Sequence, residues 1–101
     1  MALQVAAGAD AVLVSSAYAG RAFLSPRQYR EFVLPFEAHI VSGFKARCPG
    51  TPVYTHTCGA IADRLELLEE TGTDGIDTLD PPPLGDVDLA EAKRRVGERP
   101  F

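Results

Sequence analysis

With 101 residues, of which 46% are hydrophobic and 24% charged, the chain has the composition of one ordinary folded domain or a piece of a larger one, and nothing in it predicts disorder. Its 14 acidic and 10 basic residues leave a formal net charge of -4, which offers no broad basic surface to nucleic acid or anionic lipid. The apolar runs are about a strand long, far below the ~20 residues that cross a bilayer, and no basic region precedes an apolar core at the N-terminus, so the expected location is the cytoplasm.

In chain order, the run Gly8-Ala9-Asp10-Ala11-Val12 reads as a helix ending at glycine, an aspartate turn and the start of a strand. Gly72-Thr73-Asp74-Gly75-Ile76 repeats the plan. Between these joints the pattern predicts a strand at about 11–15, a helical stretch at about 26–47, a strand at about 52–55 and a helix at about 60–71. A strand at about 75–79 follows, then the Pro81-Pro82-Pro83 loop, a short helix near 88–96, and one more strand opening at Arg99-Pro100-Phe101.

Ser25-Pro26 supplies an N-cap hydroxyl and a first-position proline, so a helix begins there. Pro35 falls within the apolar spacing of Tyr29, Phe32, Val33, Phe36, Ile40 and Phe44 and should split that stretch into tandem helices. Ile61, Leu65 and Leu68 form a buried stripe, with Arg64, Glu66 and Glu70 expected on the opposite, solvated face.

Alternating strands and helices imply an α/β fold with a mainly parallel sheet. The chain begins within a helix end and stops at a strand start. It is therefore expected to be a segment of a (β/α)₈ barrel, incomplete at both ends, with about four parallel strands and crossover helices out of a barrel of roughly 250 residues. An open doubly wound sheet remains the alternative.

In both architectures ligands bind at the carboxyl ends of the strands, where this chain places Ser15-Ser16, His56-Thr57-Cys58-Gly59, and Asp77 with Asp80. Residues i and i+2 of a strand point the same way, so the imidazole of His56 and the sulfur of Cys58 can converge on one borderline-soft ion such as zinc. Zinc needs at least three protein ligands in a catalytic site, and only these two are visible. Two cysteines, Cys48 and Cys58, are too few for a disulfide framework. Cys48 reads as a packed thiol at a helix end, His39 as a solvated helix residue, and Arg21 as a candidate holder of a substrate carboxylate or phosphate.

Taken together, Gly8-Ala9-Asp10-Ala11-Val12, Ala19-Gly20, Leu24-Ser25-Pro26, Glu31-Phe32-Val33-Leu34-Pro35, Thr55-His56-Thr57-Cys58-Gly59, Gly72 with Asp74, Leu79-Asp80 and Val87-Asp88-Leu89-Ala90-Glu91-Ala92-Lys93 resemble the uroporphyrinogen decarboxylase superfamily over nearly the whole chain. The resemblance implies a (β/α)₈ barrel and two possible chemistries. Uroporphyrinogen decarboxylases of this superfamily remove carboxyl groups from a tetrapyrrole without metal or cofactor, using an aspartate and arginines from an N-terminal part with no counterpart here. Their substrate serine before the Ala-Gly pair matches Ala17 most directly, with Ser15 and Ser16 close by.

The second branch, corrinoid-dependent methyltransferases, holds zinc through a His-x-Cys motif, which His56 and Cys58 fit, and a distal cysteine expected beyond Phe101. Zinc would favour the thiolate of a small-molecule thiol substrate, and that thiolate would take a methyl group from a corrinoid, free or carried by a partner corrinoid protein. The partial positive charge of a helix starting near Ala60 should favour the Cys58 thiolate, and Asp80 is the expected acceptor for the second nitrogen of His56. This resemblance makes zinc-assisted methyl transfer the first expectation and tetrapyrrole decarboxylation the second. A third is a truncated, inactive fragment or assembly module that self-associates through open sheet edges. Ser15, Ser16, Arg21 and Asp80 are the substrate-binding candidates, and His56 and Cys58 the metal ligands.

Overall fold

In the computed structural model, which describes residues 1–97, the chain is a mixed α/β unit with parallel strands and crossover helices. Helix α1 (Ala2–Ala6) precedes strand β1 (Val12–Ser15), and helices α2 (Pro26–Phe32) and α3 (Leu34–Arg47) lead to strand β2 (Val53–His56). A 3₁₀ turn (Ala62–Arg64) runs into helix α4 (Leu65–Glu70), followed by strand β3 (Gly75–Asp77) and helix α5 (Leu89–Val96). The three strands pair in the order β1-β2-β3, all parallel. The strand expected at Arg99-Pro100-Phe101 lies outside the described residues. Among the described residues, no helix is long and apolar enough to cross a membrane.

Local chemistry sets most boundaries. Ser25 and Gln28 form a reciprocal capping box, with the Ser25 hydroxyl accepting from Gln28 N at 3.1 Å and the Gln28 side chain accepting from Ser25 N at 2.9 Å. The tandem helices part at Val33, whose φ of -116° leaves the helical range, so Pro35 falls in the first turn of α3, where its missing N–H costs nothing. Gly8 and Gly72, the glycines of the repeated joint, take φ of 108° and 85°, backbone that a side chain disfavours. Strand β3 stops short of the expected 79, because Thr78 turns into the left-handed region at φ 59°.

Alternation along the strands places one face of the sheet against the helices. Val12 and Val53 pack with Val41 and Phe44 of α3, with Val5, Val14 and the half-buried Cys48 at the margin. A second cluster gathers Ile61, Leu65 and Leu68, all at 0% exposure, with Tyr29, Val87, Ala92 and Val96. Each large apolar side chain buried there contributes about 1.5–3 kcal/mol. The described residues leave the opposite face uncovered, so Leu13 is 49% exposed and Ser15 is open to solvent. On α3 the inward residues are Glu37, Val41 and Phe44, while Phe36 and Ile40 of the apolar spacing lie outward, as does Phe32 at the end of α2.

Arg64 departs from expectation. The segment after Gly59 is not helical from residue 60. Its 3₁₀ turn and late helix start rotate Arg64 inward to 0% exposure, opposite to the solvated position expected for it. Its guanidinium donates to Ala19 O at 3.0 Å and Leu24 O at 2.7 Å, bonds Asp63 at 3.0 Å, and lies 5.9 Å from the Tyr29 ring centroid. The Tyr29 hydroxyl donates to Glu37 Oε2 at 2.8 Å, and burial together with that carboxylate pushes the phenol well above its ordinary range. Replacing Arg64 by methionine strands two carbonyls in the interior, and urea unfolding should show a loss of about 3 kcal/mol.

Candidate functional site

The strand register builds the site. Ser15 of β1 pairs with His56 of β2, and His56 pairs with Asp77 of β3, so the three residues form one row at the carboxyl ends of the strands. In a parallel sheet, paired residues point to the same face, here the open one. Val53, Thr55 and Thr57, which alternate with them, are buried on the helix side.

His56 is held on both nitrogens. Nδ1 lies 3.0 Å from Asp77 Oδ2, and Nε2 lies 3.1 Å from Cys58 Sγ. The histidine side chain is 22% exposed, Asp77 is 55% exposed, and Cys58 is open to solvent. The hydrogen bond from His56 holds the Asp77 carboxyl below the usual carboxylate range, against a small opposing effect of burial, and a backbone bond at Thr78 adds to the lowering. Thr78 Oγ1 sits 3.4 Å from the same Nδ1 and bonds the carbonyls of Asp77 at 2.5 Å and Thr57 at 3.3 Å.

Two expectations are corrected. The partner of His56 is Asp77, not Asp80, because the register sets Asp77 directly beside His56 and the chain turns away at Thr78. Asp80 Oδ2 instead accepts from Gly59 N at 3.1 Å. The helix-dipole support for Cys58 also fails, since regular helix starts only at Leu65, after the 3₁₀ turn.

The backbone around Cys58 is closely fitted. Gly59 has φ 83°, which lets the chain turn sharply after the cysteine. Gly20 approaches so near that a Cβ there would lie 2.5 Å from Cys58 O, and one on Gly85 would collide with Asp80 O and Gly59 O. Arg21, expected to face a substrate anion, has its guanidinium 3.5 Å from Asp86 on the surface, and Asp86 also accepts from Ala62 N at 3.0 Å. Ser15 and Ser16 line a shallow hollow with Tyr18 and Leu24, and Ser16 N donates to His56 O at 2.9 Å, extending the β1-β2 pairing. His39 is exposed on α3, away from this row.

Sequence reading saw Asp77 only as a neighbour of Asp80 near the strand end. Its pairing with His56 depends on the register of β2 against β3, which no local pattern in the sequence sets. A nitrogen and a sulfur donor meet here at a distance suited to joint ligation, and a carboxylate stands behind the nitrogen. Among the described residues, no group of three such side chains converges as a complete metal shell.

A lowered folded-state pKa means that the Asp77–His56 bond stabilises the fold above the ordinary aspartate pKa and is lost as pH falls through the depressed value. A carbon-NMR titration of the Asp77 carboxyl should therefore give a midpoint below the ordinary aspartate range, and His56→Ala should move it upward.

A family model described as uroporphyrinogen decarboxylase (URO-D) matches residues 1–100. A protein named uroporphyrinogen decarboxylase from Thioalkalivibrio sulfidiphilus is 42% identical over 100 residues, covering 95% of this chain and 26% of the relative. Proteins of the same name from Psychromonas ingrahamii and Synechococcus sp. (strain JA-3-3Ab) are 39% and 37% identical, covering 95% and 93% of this chain and 25% and 24% of their own lengths. The chain thus spans about a quarter of the length of these curated relatives. No solved structure matches it. With a family model matched over nearly every residue and relatives this similar along its length, the chain belongs to the uroporphyrinogen decarboxylase family.

Proposed function

We propose that the chain supplies part of the substrate rim of a carboxy-lyase acting on a carboxylated tetrapyrrole, within a (β/α)₈ barrel. The observation that carries this reading is the name shared by relatives that align with 93% or more of the chain. The barrel is supported by the sheet, whose described helices cover only one face and leave the polar row on the other.

Decarboxylation breaks a C–C bond, releases CO₂ and leaves an electron pair on carbon that must take up a proton. An imidazole held in place by a carboxylate at the strand ends is a group suited to deliver it. Ser15 and Ser16 offer hydroxyls to substrate carboxylates, while Arg21 and Asp80 frame the rim in their ties to Asp86 and Gly59. The groups completing such a site would come from outside this segment.

The 3.1 Å approach of His56 Nε2 to Cys58 Sγ favours a second reading, zinc-assisted methyl transfer from a corrinoid to a small-molecule thiol. One nitrogen and one sulfur donor fit zinc, and His56 and Cys58 would hold it with a third ligand from elsewhere. When bound, zinc supplies Lewis acidity that favours the thiolate of a substrate. The chain's own part is to orient the two donors.

Both readings are tested on the full-length protein. Under the first, metal-free enzyme releases CO₂ from uroporphyrinogen, and His56→Ala lowers the turnover by about 10²-fold or more. Under the second, the purified protein carries about one zinc per chain, which is lost in His56→Ala and in Cys58→Ser. Metal-free protein that decarboxylates nothing sinks both.

A further inference from the structure

His56 is clamped between an acceptor and a sulfur, so its ring has one favoured protonation pattern. Nδ1 faces Asp77 Oδ2 at 3.0 Å, and a carboxylate oxygen has only lone pairs to offer. The nearby Thr78 hydroxyl, 3.4 Å away, is within bonding distance of the carbonyls of Asp77 and Thr57, which can only accept. Its proton is therefore directed to a carbonyl, and a lone pair remains toward Nδ1. Both neighbours of Nδ1 thus call for a proton on that nitrogen, and a neutral imidazole has only one. Nε2 is left bare, 3.1 Å from Cys58 Sγ.

We infer that Asp77 is a positioning residue that fixes His56 as the Nδ1–H tautomer and turns the bare Nε2 toward Cys58, making Nε2 the nitrogen that receives a zinc ion. The ligand part of this inference rests on the zinc reading above. Geometry excludes Asp77 from the metal shell itself, because it occupies the side of the ring away from Cys58. The arrangement is supported from behind. The register holds Asp77 beside His56, Thr78 takes a left-handed turn at φ 59° directly after it, and Asp80 anchors the Gly59 turn that carries Cys58. A β-branched residue is strained in that region, and the Thr78 hydroxyl bonds to the carbonyls of Asp77 and Thr57 help hold it there.

The test is nitrogen NMR of the full-length protein with labelled histidine, without metal and at a pH where the imidazole is neutral. Wild-type His56 should show its proton on Nδ1. Asp77→Ala should shift the ring toward the Nε2–H form, and Asp77→Asn, whose amide oxygen still accepts, should restore the wild-type pattern. Competition with a chelator then reads zinc affinity: Asp77→Ala should weaken it about 10–100-fold and Asp77→Asn much less. A wild-type ring protonated on Nε2 overturns the inference whether or not zinc binds. So does an Asp77→Ala protein that keeps both the Nδ1–H pattern and full affinity. A ring with the expected tautomer in a protein without zinc affinity overturns the zinc reading alone and leaves the positioning role standing. Should Asp77→Ala fail to fold, the wild-type tautomer and the isosteric Asn variant decide the matter.

Discussion

Side chains alternate between the two faces of a strand, so a slip of one residue between β2 and β3 would send Asp77 to the helix side and leave His56 without a partner. The observed register, His56 beside Asp77 and Ser15 beside His56, is held by the apolar demand of the other face. Val12 and Val53 must meet Val41 and Phe44, and Ile76 packs against the second cluster. Hydrophobic burial on one side of the sheet thereby fixes polar chemistry on the other. Asp74 reinforces the register from the strand start, accepting from Val53 N at 2.9 Å while Lys45 bonds its other oxygen at 2.6 Å.

The loops above the sheet are tied to one another by a few buried or close-fitting groups. Arg64 joins the segment after β1 to the start of α4 through Ala19 O and Leu24 O. Gly20 lies against the carbonyl of Cys58, and Asp80 holds Gly59. Farther out, Arg95 grips Glu66 with two bonds of 2.6 Å and donates to Ala62 O at 2.7 Å, which fastens α5 to α4. That guanidinium bond is the main reason Glu66 stays ionised below the usual carboxylate range, although both groups are substantially solvated and the pair adds little to stability. The same network that settles the helix layer therefore settles where Cys58 sits.

Membership of the uroporphyrinogen decarboxylase family gives this rim a context without deciding its chemistry. The chain aligns with about a quarter of each relative. What this quarter contributes is a donor pair and a carboxylate in a fixed order across one strand end, Cys58, His56 and Asp77. A proton-transfer role and a metal-holding role ask the same thing of that order, namely a histidine that cannot rotate.

Much of the fold was legible in the sequence, because local chemistry decides it. The Ser25-Pro26 start, the break before Pro35, the glycine joints at Gly8 and Gly72, and the Ile61, Leu65, Leu68 stripe all follow from backbone restrictions and periodicity acting within a few residues. The meeting of His56 and Cys58 was legible for the same reason, being two residues apart at a strand end. The rest required distance in space. Arg64 looked solvated by helical count, yet carbonyls of a segment about 40 residues earlier draw it inside. Phe36 and Ile40 belong to the apolar spacing, but α3 turns Glu37 and Val41 inward, where Tyr29 and the strand valines lie. Asp77 rather than Asp80 became the partner of His56, since that choice depends on the register of two strands joined only through a helix. The sequence by itself determined the elements and the donor pair; only tertiary structure, by setting which strands lie side by side and in what register, decided which carboxylate stands behind the histidine.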